Sequence, residues 1–144
     1  PMSKLRPIFV AVSLAAVLVT PALADEDEDS QRFRLMNYSL ALAEAMGQSS
    51  GISAQCFGAP DTVSKGRVAV LDVLEFPMTT KGLIRAAEAY DLAVLEMRAR
   101  YASSCDGAEA VHDRLAADIR RYGAEIAAML GFGEKPAEKT GKAR

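Results

Sequence analysis

Tryptophan is absent from this 144-residue chain, aromatics make up 6% of it, and it has one histidine, His112, and two cysteines, Cys56 and Cys105. Each shortage excludes something. One histidine excludes any site built on two histidines and leaves little acid–base machinery. Two cysteines far apart in sequence exclude a C-x-x-C redox pair and a C-x-x-C-H haem attachment. No serine stands in a nucleophile elbow, and no glycine-rich phosphate loop opens a helix after a strand. Positive charge is not in excess, the formal net charge being −2, so the basic footprint of a nucleic-acid binder is missing. Long apolar runs are missing too. The longest, residues 8–19, is about a dozen residues where a bilayer span needs roughly 20.

That short run has the layout of an export signal. Lys4 and Arg6 supply the positive start, residues 8–19 the apolar core, and Ala22-Leu23-Ala24 a small-x-small cleavage site. Pro21 is expected to interrupt any helix just before it. No cysteine follows the small residues and no Arg-Arg pair precedes the core, which points to ordinary unfolded-state export. The expectation is a signal peptide over residues 1–24, cut between Ala24 and Asp25. The mature protein is then periplasmic, with no stable membrane span after cleavage. What remains is about 120 residues, enough for one domain with its own core.

The ends of that mature chain are charged. The acidic run 25–29 reads as a disordered leader, since it lacks the glycine turn and spaced ligands of a calcium loop. Lys135, Lys139, Lys142 and Arg144 dominate residues 132–144, read as a flexible tail. Between them lies a helical bundle domain, residues 30–131. Alanine is abundant there, and alanine has no side-chain entropy to lose in a helix.

Four apolar-periodic segments divide this interior. The first, residues 30–47, carries Phe33, Met36, Leu40 and Ala43 on one face, with Ser30 as its N-cap and Gly47 as its stop. The second follows Asp61, a candidate cap, with Val63, Val70, Leu71 and Leu74 inward and Pro77 beyond its end. The third, residues 79–103, has the clearest pattern: Leu83, Ala87, Tyr90, Val94, Met97 and Tyr101 alternate steps of four and three. The fourth follows Asp106, another candidate cap, with Val111, Leu115, Ile119, Tyr122, Ile126 and Met129 inward and Gly131 closing it.

Short connections make neighbouring helices antiparallel. The fold expected is therefore all-α, a four-helix up-down bundle preceded by a helical signal peptide. In such a bundle the first and third connections share one pole. Cys56 lies in the first and Cys105 in the third, so topology brings the thiols together as a structural disulfide. His112 sits near the start of the fourth helix. A haem held between it and a methionine fails for Met36, at the opposite pole; Met46 lies at the correct one, but the disulfide crosses it. His112 is thus expected to be a neutral, partly exposed helix residue. Carboxylates such as Glu88 and Asp118 have cations one turn away, Arg85 and Arg114, as on solvated faces.

The order Met46-Gly47-Gln48 leading to Cys56, an apolar helix ending near Glu75, then Tyr101 followed by Cys105 resembles a family of small exported proteins found mainly in alphaproteobacteria. That family is marked by a signal peptide and two well-separated cysteines. The resemblance implies the compartment, the fold and pairing of Cys56 with Cys105, and implies no activity. The functional expectation is a non-enzymatic periplasmic protein, without cofactor or metal. It would play a structural or interaction role in the cell envelope, binding another envelope protein or itself. The alternative is a bundle that binds a small apolar ligand or a cofactor, with an apolar cavity lined by Met36, Leu40, Tyr90, Val94 and Met97.

Overall fold

The computed structural model describes the backbone of residues 10–132 and the side chains of residues 28–132. Residues 1–9 of the expected signal and residues 133–144 of the expected tail lie outside it. Among the described residues there are four helices and no strand: α1 (Val10–Cys56), α2 (Thr62–Glu75), α3 (Thr80–Arg100) and α4 (Ala108–Met129). The all-α class and the helix count are those expected. The chain divides into two compact units, Pro1–Arg34 and Leu35–Arg144, and the bundle lies in the second.

The first helix differs most from expectation. It passes Pro21, Ser30 and Gly47 without a break and ends at Cys56. The run 25–29 is therefore helical, not a disordered leader, and Ser30 is an interior residue, not a cap. A lone proline removes one backbone donor, and a lone glycine costs about 1 kcal/mol in a helix interior. Packing outweighs that cost at Gly47, as shown below. Phe33, expected to face inward, is 67% exposed.

The other boundaries fall within a few residues of those expected, but two caps differ. Thr79 caps α3, its Oγ1 accepting from the Gly82 N–H at 3.1 Å. Asp61 does not cap α2; its carboxylate pairs with Lys65 at 2.8 Å, which lowers its pKa through that hydrogen bond. Asp106 does not cap α4 either. Left-handed Gly107 (φ +78°) precedes α4 instead, and the Asp106 N–H donates to Ser104 Oγ at 3.1 Å. Gly131 (φ +82°) closes α4, with the Phe132 N–H returning to the Ala127 carbonyl at 2.8 Å.

Two contacts place the poles. Cys56 and Cys105 stand at bonding distance, their Cα atoms 5.7 Å apart, well within what a disulfide requires. Phe76 and Phe132 meet edge-on at the other end, with ring centroids 6.1 Å apart. The helices thus run up and down between a disulfide pole and an aromatic pole. Of the six residues of the seam expected for the third helix, Tyr90, Val94, Met97 and Tyr101 are core residues, and Leu83 and Ala87 are half-buried. The second contributes Val70 and Leu74, and the fourth Leu115 and Ile126.

α1 and α3 run in the same direction and touch through small residues. Ser39, Ala43, Gly47 and Gly51 recur every fourth position on α1, and all four are buried. A β-carbon on Gly47 would collide with the Tyr90 carbonyl oxygen and stand 2.9 Å from Ala93 Cβ. One on Gly51 would stand 2.8 Å from the Val94 carbonyl oxygen. Absent side chains let the two backbones meet. This is why α1 continues through a residue that reads as its stop.

The Tyr90 hydroxyl locks α2 onto this pair. It lies 2.7 Å from the Val63 carbonyl and 2.7 Å from Ser50 Oγ. With one proton to give, it donates to the carbonyl and shares the remaining contact with the serine hydroxyl. Gly66 leaves the space it occupies: a β-carbon there would stand 2.6 Å from Ser50 Oγ. Burial pushes the Tyr90 pKa up, against the opposing effect of the Ser50 hydrogen bond. The unfolded chain therefore loses this proton first, near pH ~10. As pH rises toward the higher folded pKa, the unfolded state binds fewer protons and stability falls. Urea midpoints should drop above about pH 10 more steeply for the parent than for Tyr90→Phe; parallel curves would contradict the assignment.

Candidate functional site

Polar chemistry concentrates near the disulfide. Ser49 and Ser53 lie one turn apart on α1, and His112 reaches them from the second turn of α4. Its Nε2 lies 3.1 Å from Ser49 Oγ and 3.2 Å from Ser53 Oγ. The Phe57 ring stands edge-on to the imidazole at 5.1 Å. His112 is half-buried, in line with the partly exposed ring expected.

A serine beside a histidine is the opening of a nucleophile–base arrangement, which also requires a third group to orient the base. Here two hydroxyls converge on a single nitrogen, and no carboxylate makes a hydrogen bond to the ring among the described residues. The contact ties α1 to α4, each such bond contributing about 0.5–1.5 kcal/mol. Among the described residues no group of three or more histidine, cysteine or acidic side chains could hold a metal ion. Met46 packs with the cluster around Tyr90, Val70 and Leu74, while the Nε2 of His112 faces the two serines.

Of the five residues expected to line a ligand cavity, Tyr90, Val94 and Met97 are packed in the interior, and Leu40 borders an open space. That space is a groove of about 450 Å³ along α1 and α3. Its floor is small, from Ala41 and Ala89, and Leu40 and Leu92 rise beside it. Leu92 is 67% exposed. The groove continues toward the disulfide pole as a hollow of about 280 Å³ that includes Ala93.

Its borders are mostly acidic. Glu44 and Glu88 line the main groove with a single cation, Arg85, and Glu44 and Glu96 line the continuation. The ion pairs expected along the helices are partly different. Asp118 pairs with Arg121 at 3.3 Å instead of Arg114, and Asp91 takes Arg67 from α2 at 2.9 Å. Among the described residues Arg85 and Glu88 form no ion pair, with each other or otherwise.

Sequence reasoning missed both places. Ser49 and Ser53 show only as an i, i+4 serine pair, a spacing that serves solvent as readily as a partner helix. The groove had one legible sign: Leu92 is a large apolar residue off the inward seam of α3. No helix among the described residues is long and apolar enough to cross a membrane. In comparisons with known proteins, no family model, curated protein or solved structure matches this chain.

Proposed function

We propose that this chain is exported by its N-terminal signal, cut between Ala24 and Asp25, and acts in the periplasm as a non-enzymatic helical protein that binds an envelope protein or itself. The observation that carries this reading is the groove between α1 and α3, open along its length, with a small apolar floor and Leu92 exposed at its edge. An open apolar track suits a helix from a protein, whereas small molecules favour enclosed pockets with convergent polar groups. The disulfide supports the compartment, because such bonds persist where thiols oxidise.

The test uses the mature chain, residues 25–144, as bait in envelope extract beside a Leu92→Glu bait. Mass spectrometry should find protein partners, including the chain itself, on the parent and not on the variant. Equal recovery on both baits, or a bound metabolite without any protein, would overturn the reading.

A further inference from the structure

We propose that the groove between α1 and α3 receives α4 of a second copy of this chain. The inference rests on the interaction role above and names the partner. Its starting point is the outer face of α4. Ala110, Ala117, Ala124 and Ala128 fall on one stripe of that helix, and all are exposed. Arg114 and Arg121 flank the stripe on one edge and are exposed as well, while exposed Asp113 and Arg120 flank the other. An alanine face with an arginine edge is the counterpart of an alanine floor with the glutamate edge that Glu88 and Glu96 make on α3.

The dimensions agree. Arg114 and Arg121 are seven residues apart, about 10.5 Å along the helix axis, and Glu88 and Glu96 are eight apart, about 12 Å. Alanine on both surfaces allows an interaxial distance of about 8 Å, the close end of helix packing. Among the described residues Arg85, Glu88, Glu44 and Arg114 all lack an ion pair within the chain, while Glu96 holds Arg100 of its own helix at 3.3 Å across exposed surface. Arg121 is held along α4 by Asp118 at 3.3 Å and lies over the Tyr122 ring at 5.0 Å. It is thereby kept at the helix border instead of across the stripe.

Groove and α4 stripe are different surfaces of one molecule, so the contact either closes reciprocally in a two-fold pair or repeats head-to-tail to a ring or an open chain. Being bordered by exposed charges, it is weakened by salt.

Sedimentation velocity of the oxidised mature chain, residues 25–144, reads this directly. Mean mass should rise with concentration at about 0.05 M salt and fall back toward the monomer at about 0.5 M. Leu92→Glu disables the groove and leaves α4 intact. Arg114→Glu with Arg121→Glu disables the stripe and leaves the groove intact. Each variant alone should lose self-affinity by about tenfold or more. Mixed, the two should form a pair of two chains and nothing larger, because only one competent groove and one competent α4 meet. Glu44→Arg with Glu96→Arg provides a second groove variant, and it should pair with the arginine-to-glutamate chain. A parent that stays monomeric at every concentration, or variants that stay monomeric when mixed, would overturn the inference. In that case partner capture lost on Leu92→Glu would still uphold the broader reading.

Discussion

Gly47→Ala should destabilise the protein by about 2 kcal/mol, while Gly123→Ala, the same change in another helix, should stabilise it by up to about 1 kcal/mol. Taken alone, removing a glycine from a helix interior favours folding, because glycine loses the most backbone freedom. At Gly123 nothing stands within 4 Å of the added β-carbon, so that gain is realised. At Gly47 the new carbon meets the Tyr90 carbonyl oxygen and Ala93 Cβ, both fixed on the facing helix. α1 and α3 must separate, and the Tyr90 hydroxyl bonds to Ser50 of α1 and Val63 of α2 loosen with them. Overpacking of this kind costs about 1–3 kcal/mol beyond the propensity gain. Urea unfolding of the two variants decides it. Equal shifts of the same sign would show that α1 and α3 do not touch at Gly47.

The same residue shows what the sequence makes legible. The periodic faces of α2, α3 and α4 were readable because large apolar side chains mark them: Val70, Leu74, Tyr90, Val94, Leu115 and Ile126 are all buried. The stripe Ser39-Ala43-Gly47-Gly51 was not, because its contacts come from side chains being small. A glycine that allows backbone approach and a glycine that ends a helix look alike from one side. Only the facing carbonyl of Tyr90 tells them apart. The caps failed for a related reason. Asp61 had a choice between the helix N-terminus and Lys65, and the ion pair took it. The groove was hidden because Ala41 and Ala89 carry no signal of their own; it exists only once α1 and α3 lie side by side. The disulfide was legible without contacts, since helix parity alone sends Cys56 and Cys105 to one pole.

Removing that disulfide should cost about 4 kcal/mol, the largest loss expected from a change that touches few core atoms. The bridge spans a sequence separation of 49, and the loop it closes contains all of α2 and α3. Open, that loop gains chain entropy in the unfolded state, which is where most of the effect lies in the chain-entropy account. The folded contacts change less. Cys56 is packed at the edge of a cluster formed by Ile52, Met97, Tyr101, Ala108 and Leu115, while Cys105 is exposed and open to reductant. Single domains hold only about 5–15 kcal/mol in total, and one of this size with few aromatics has no large reserve. The double variant Cys56→Ser with Cys105→Ser should therefore melt well below the parent and unfold with a larger denaturant slope, because its unfolded state is less confined. Dithiothreitol should bring the parent to the variant's midpoint and leave the variant unchanged. Parent and variant midpoints that coincide without reductant would mean that the two cysteines are not bonded in the folded protein.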